Sequence, residues 1–212
     1  MSAEITVHVR GSNRAGRPLL LLLHGFGSHE HDLPAIAGHL PPVWDWASLR
    51  APLAAGNGGF SWVPIEVPGR PDPQVVADST AAVLAWLDVN VEPGTVVVPV
   101  GFSQGGLMVT QLLRAAPERF AAGVVLSGFV LDAVLPGDEA LAARRPPVFF
   151  GHGDTDQVIS PDATARTSAW LPQFTDATEV VYPGLPHSIS AEELADVSTF
   201  LEKVLPDGAT GR

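Results

Sequence analysis

Five short stretches of the chain are continuously apolar or nearly so. Leu19–Leu23 is the purest, and runs of the same kind recur at residues 95–102, 121–126 and 148–150, with a weaker one at 178–182. None is long enough to cross a bilayer, so each reads as a strand buried on both faces. Residues 4–10 instead alternate apolar and polar, the pattern of a half-exposed edge strand. Helical periods lie between these runs. Residues 73–89 place Val76, Val83, Leu84 and Leu87 on one face, and residues 104–116 are apolar on most sides and are closed by Pro117. Ser160-Pro161 is an N-cap followed by proline at the first helical position, and Ser190-Ala-Glu-Glu193 is a capping box opening a last helix with Leu194, Val197, Leu201 and Val204 inward. Strands alternating with helices predict a mostly parallel central sheet with helices on both faces. Residues 51–72 and 128–145 show no period and read as loops, there is no internal repeat, and residues 206–212 read as a loose tail.

Composition agrees with a single α/β domain over residues 1–212, since 46% of the chain is hydrophobic, 17% is charged and the mean hydropathy is +0.21. Twelve basic residues face 23 acidic ones, for a formal charge of −11, which disfavours nucleic acid and stable membrane association. The absence of cysteine removes disulfides, thiolate catalysis and cysteine-ligated metal. The first residues carry neither a basic start nor a long apolar stretch, so a cytoplasmic location is expected.

The chemistry concentrates where a strand pattern meets a helix pattern. Gly101-Phe-Ser103-Gln-Gly105 joins the 95–102 run to the most apolar helical segment, the strand–turn–helix setting of a nucleophile elbow. A serine hydroxyl needs a base to take its proton and a third group to orient that base. His187 follows the 178–182 run, and Asp156 follows the 148–150 run, so both are expected on loops above strand ends. Their order, Ser103, Asp156, His187, is the order of α/β-hydrolases. The glycine-rich turn after Leu23 supplies a backbone that can approach a substrate, and oxyanion donors are expected from the N–H groups of Phe26 and Gln104.

At these residues the chain resembles the carboxylesterase/phospholipase family of α/β-hydrolases, which includes the acyl-protein thioesterases. The resemblance rests on Leu23-His-Gly-Phe-Gly-Ser28 with Glu30 and Asp32-Leu33, on Arg50-Ala-Pro52 with Ser61-Trp62, and on Gly101-Phe-Ser-Gln-Gly-Gly106. It continues through Leu126-Ser-Gly128, Gly151-His-Gly-Asp-Thr-Asp156, and Tyr182-Pro-Gly184 with His187-Ser188. It implies an α/β-hydrolase fold without a large cap domain and a serine esterase with Ser103 as nucleophile, Asp156 as acid, His187 as base and Phe26 and Gln104 as oxyanion donors. A small-molecule ester is the implied substrate, with thioester or lysophospholipid as the alternative, no cofactor, and a monomer or homodimer as the assembly. A non-catalytic ligand-binding relative is the alternative of another class. Where members often carry prolines after the aspartate, this chain has Gln157 and Ser160, and Pro186 precedes its histidine.

Several residues compete for roles. Asp154 could replace Asp156, but a turn or capping role suits it better. His29-Glu-His31-Asp32 puts potential ligands in one short segment whose neighbours cannot converge on one ion, so no metal is expected. His24 and His152, each followed by glycine, read as turn residues bonded to backbone, and Ser127-Gly128 as structural. Phe60, Trp62 and Phe129 are candidate walls of an acyl pocket, whereas Trp44, Trp46, Trp86 and Trp170 read as packing aromatics.

Overall fold

The computed structural model describes residues 4–5, 8–11, 16–65 and 70–204. The strand patterns become β1 (His8–Arg10), β2 (Leu19–Leu23), β6 (Val97–Phe102), β7 (Gly123–Leu126), β8 (Pro147–Gly153) and β9 (Asp176–Tyr182), joined by one further strand, β3 (Asp45–Leu49). They form one sheet in the order β1-β3-β2-β6-β7-β8-β9, parallel throughout except for β1, which pairs antiparallel with β3 at the edge.

Why the leucine run tolerates no polar residue is visible in its packing. Leu19, Leu21 and Leu23 point into one core, and Leu20 and Leu22 into the other. The first core is covered by α1 (Pro73–Asn90) through Val83, Trp86 and Leu87, and by α2 (Gln104–Ala115) through Met108, Val109, Leu112 and Leu113. The second is covered by α5 (Ala191–Val204) through Leu194, Val197, Phe200 and Leu201, and by the 3-10 turn Leu33–His39. Successive strand residues face opposite sides, so a strand between two helical layers must be apolar at every position.

Three elements differ from the sequence reading. β3 has no apolar run of its own because Asp45 and Ser48 interrupt it; it forms because β2 and β1 flank it on either side. Residues 51–72 contain a hairpin, β4 (Leu53–Gly56) and β5 (Gly59–Ser61), turned by Asn57 and Gly58, both at positive φ. Asn-Gly is the usual signal for such a turn, so the hairpin was legible at that pair. Residues 128–145 contain α3 (Asp138–Arg144), a short helix held down by a buried ion pair: Arg114 Nε and Nη2 donate to Asp138 at 2.6 and 2.8 Å, and Arg114 Nη1 to Leu131 O at 3.3 Å. The loop that carries Phe129 is thereby anchored on α2. The remaining helix is α4 (Pro161–Phe174), capped by Ser160 Oγ, which accepts the Ala163 N–H. The capping box of α5 forms as expected, with Ser190 Oγ accepting the Glu193 N–H at 3.0 Å. Residues 6–7 of the expected edge strand and the expected tail at 206–212 lie outside the described residues.

Candidate active site

Ser103 stands between β6 and α2 with φ 57° and ψ −116°, a conformation L-residues adopt only when the surroundings enforce it. The enforcement is steric. A methyl on Gly101 would lie 2.1 Å from the Gly105 carbonyl oxygen, and one on Gly105 would lie 1.8 Å from that of Leu23. Both glycines of the motif are therefore required by the close approach of β6, α2 and β2. Ser103 N–H donates to Leu126 O at 2.9 Å, and Ser103 O accepts the N–H groups of Gly106 and Leu107, so the turn is tied on both sides.

The loops after β8 and β9 are stitched to each other. The Asp154 N–H donates to Tyr182 O and the Thr155 N–H to Leu185 O, both at 3.3 Å, while Asp154 Oδ1 accepts the Gly184 N–H at 2.6 Å. Asp154 thus serves the turn, as its place in the sequence suggested. Asp156 instead reaches His187: Nδ1 of the imidazole is 2.7 Å from Oδ2. Oδ1 of Asp156 accepts the N–H groups of Val158 and Ile159 at 2.8 and 3.0 Å, which orients the carboxylate. These two bonds and the Ser160 cap order the loop after β8. The His187 ring lies against Phe102, with centroids 4.7 Å apart.

Ser103 and His187 line one cavity of about 320 Å³ together with Gly25, Phe26 and Gln104. Its walls are apolar, formed by Val63, Pro64, Ile65, Phe129, Ile159 and Ala163. Among the described residues no protein acceptor takes the Phe26 or the Gln104 N–H, and Gln104 opens α2, where the first N–H groups of a helix are unpaired and its dipole is positive.

Phe129 lines the cavity, but Phe60 and Trp62 do not. Phe60 lies behind the glycine-rich turn: its O accepts the Gly27 N–H and its N–H donates to Ser28 O, both at 2.8 Å. The Arg50 guanidinium covers the Phe60 ring at 4.4 Å and makes two hydrogen bonds to Glu30, holding that buried carboxyl at about 2, well below its ordinary value. Trp62 is fully buried and joins three elements. Its indole N–H donates to His24 O at 2.8 Å, its backbone N–H to Gln104 Oε1 at 3.1 Å, and its O accepts from Ser79 Oγ at 2.6 Å. Gln104 Nε2 completes the clamp on Val63 O at 2.8 Å. Sequence reasoning assigned Gln104 only through its backbone; its side chain fixes the wall from Trp62 to Val63. The apolar pair Val158-Ile159, two residues beyond Asp156, was the missed signal for the opposite wall.

His24 bonds backbone as expected, and burial holds its pKa below the ordinary imidazole value. His152 does not: it lies on β8 and pairs with the Glu179 carboxylate at 3.0 Å, on the adjacent strand. His29 accepts the His31 N–H, His31 lies 3.2 Å from Glu30, and Asp32 accepts from Ser28 Oγ, so these side chains serve their own loop. Ser127 has φ 45° and donates its N–H to Gly151 O, and Gly128 abuts Gly106, where a methyl would lie 2.7 Å from its Cα.

A parallel sheet with a strained serine at the strand–helix turn, and a bonded Asp–His pair on the two following loops, is the arrangement of an α/β-hydrolase. The family model described as Phospholipase/Carboxylesterase matches residues 6–205, and the chain belongs to that family. Acyl-protein thioesterase 1 of Debaryomyces hansenii is 26% identical over 94% of this chain and 96% of its own length. Carboxylesterase SOBER1 of Arabidopsis thaliana is 28% identical over 73% of each. The crystal structure of esterase PE8 superposes with a TM-score of 0.76 at 25% identity, covering 95% of this chain and all of that one.

Proposed function

We propose that this protein is a carboxylic ester hydrolase, one α/β-hydrolase domain that works through an acyl-enzyme on Ser103. The observation that carries the reading is the 2.7 Å bond from His187 to Asp156 in the cavity that Ser103 enters from its strained turn. Ser103 Oγ attacks the ester carbonyl carbon while His187 takes its proton. The carbonyl oxygen becomes an oxyanion held by the Phe26 and Gln104 N–H groups. When the tetrahedral intermediate collapses, the C–O bond to the alcohol breaks and His187 returns the proton to the departing oxygen. Water then attacks the acyl-enzyme with His187 again as base, releasing the acid and restoring Ser103. Asp156 keeps the imidazole oriented and stabilises it when protonated.

The apolar walls suit an uncharged acyl chain of short to medium length, and the charge of −11 favours neutral over anionic substrates. No helix among the described residues is long and apolar enough to cross a membrane. Thioesters use the same groups and differ only in the leaving atom; the thioesterase relative, matched over nearly its whole length, favours testing them in parallel. The test is covalent labelling by a fluorophosphonate, with hydrolysis of oxygen esters and thioesters of graded chain length. Labelling that disappears in Ser103→Ala together with turnover supports the assignment. Labelling that persists in that variant places the nucleophile elsewhere, and a wild-type protein that neither labels nor hydrolyses is a binding relative.

A further inference from the structure

His24 takes no part in the proton path, yet its ring is fully buried beside the elbow and its two nitrogens meet unlike groups. Nε2 accepts the Ala51 N–H at 3.1 Å, so that nitrogen carries no proton. In a neutral imidazole the proton then resides on Nδ1, which lies 2.7 Å from the Gly25 carbonyl oxygen and donates to it. That carbonyl belongs to the same peptide unit as the Phe26 N–H. The unit is planar and trans, so C=O and N–H point in opposite directions, and a donor that holds the oxygen also sets the direction of the N–H. The Ser28 N–H takes the same oxygen at 3.3 Å, and the Trp62 indole holds the preceding carbonyl, that of His24, at 2.8 Å. A methyl built on Gly25 would lie 3.4 Å from Ser103 Cβ, so this peptide borders the nucleophile itself.

We propose that His24 is a positioning residue for ester hydrolysis: as the neutral Nδ1–H tautomer it clamps the Gly25 carbonyl and thereby aims the Phe26 N–H at the developing oxyanion. A proton donated to the amide oxygen also polarises the unit and strengthens its N–H as a donor. The inference rests on Phe26 as an oxyanion donor in the hydrolysis argued above. A purely structural histidine would matter through its other nitrogen, which ties the turn to Ala51, two residues beyond β3. The two roles separate because an asparagine carboxamide overlays Nδ1 of histidine and a glutamine carboxamide overlays Nε2.

The experiment compares His24→Asn and His24→Gln with the wild type in kcat and KM on a dissolved p-nitrophenyl ester, with urea midpoints as the folding control. The histidine tautomers of the wild-type protein are read by long-range nitrogen–proton NMR at pH 7.5. We expect an Nδ1–H signature for His24. Given the roughly 10²–10³-fold cost of losing one oxyanion donor outright, His24→Asn should keep kcat within about 3-fold, and His24→Gln should lose about 10- to 100-fold in kcat at nearly unchanged KM. An Nε2–H tautomer, a Gln variant as active as the Asn variant, or losses confined to KM overturns the proposal. If a variant fails to fold, the wild-type tautomer decides. Wild-type protein inert toward esters and fluorophosphonate overturns the hydrolase reading along with this one, whereas active wild type with any of the contrary outcomes overturns only the role of His24.

Discussion

Gly105 approaches Leu23 so closely that a methyl group on it would stand 1.8 Å from the Leu23 carbonyl oxygen. The first turn of α2 therefore rests directly on the end of β2. The same contact sets the height of the Gln104 N–H relative to the glycine-rich turn that β2 feeds. Gly105→Ala must push helix and strand apart, which should cost about 1–3 kcal/mol of overpacking and reduce turnover through the displaced donor. Gly38→Ala, where nothing lies within 4 Å of the added methyl, is the control and should change neither. Urea midpoints and kcat on one ester decide; an unperturbed Gly105→Ala would contradict the steric account of the motif.

Asp156 and Asp154 are two residues apart and do different work, one holding the His187 ring and the other the Gly184 N–H. Asp156→Asn should lower kcat by a factor on the order of 10⁴, the scale reported when a triad aspartate becomes an amide that stabilises the wrong tautomer. Asp154→Asn retains an oxygen for the Gly184 N–H and should stay within a few-fold of wild type. Parallel kinetics of the two variants measure the ratio, and comparable losses would dissolve the distinction.

Arg114 is buried against Asp138 and also reaches Leu131 O, so it nails down the segment that carries Phe129. Asp138→Ala leaves a buried guanidinium unpaired and should destabilise by about 3–5 kcal/mol. Arg114→Met combined with Asp138→Ala should recover much of that, because no charge then remains buried. Denaturation of the single and double variants tests this; additive losses would mean that the pair is not coupled.

Glu193 on α5 is fully buried, with Oε2 3.4 Å from the Ser190 N and Oε1 close to Gly151. Burial pushes its pKa up to about 7, against the opposing Ser190 bond and aided by Asp196. The folded protein thus keeps a proton that the unfolded chain loses near 4.5. Its contribution to stability is complete below that pH, declines from there to about 7 and is absent above. Glu30 acts in the opposite sense and lower down, since its Arg50-bonded carboxylate favours folding above the unfolded value and loses that effect only as pH falls toward about 2. Glu193→Gln keeps an acceptor for Ser190 and removes the ionisation, so it should flatten the slope between those pH values and gain roughly 3 kcal/mol at pH 8. Urea denaturation at several pH values provides the check, and a slope that survives the substitution would place its origin in another group.

The periodicity of apolar residues along the chain determined the layer order, because a strand between two helical layers has no face that accepts a polar side chain. The runs at β2, β6, β7 and β8 therefore announced a parallel sheet, and Gly101-Phe-Ser103-Gln-Gly105 announced the elbow. Other features had no local signature. β3 owes its existence to its neighbours, and its Asp45 and Ser48 would have argued against it in isolation. Chain order narrowed the partner of His187 to two aspartates, but only the stitching of the β8 and β9 loops brings Asp156 within 2.7 Å while turning Asp154 toward Gly184. Its place in the segment 51–72, read as a loop, likewise made Trp62 an attractive pocket wall. Whether an aromatic ring borders a cavity or a core depends on which side of the backbone its indole N–H finds an acceptor, and here the acceptor is His24 O, behind the site. Residue identity and spacing carry the elements and the reactive groups, whereas the direction of each side chain is a property of contacts between segments far apart in the chain, which only the folded arrangement supplies.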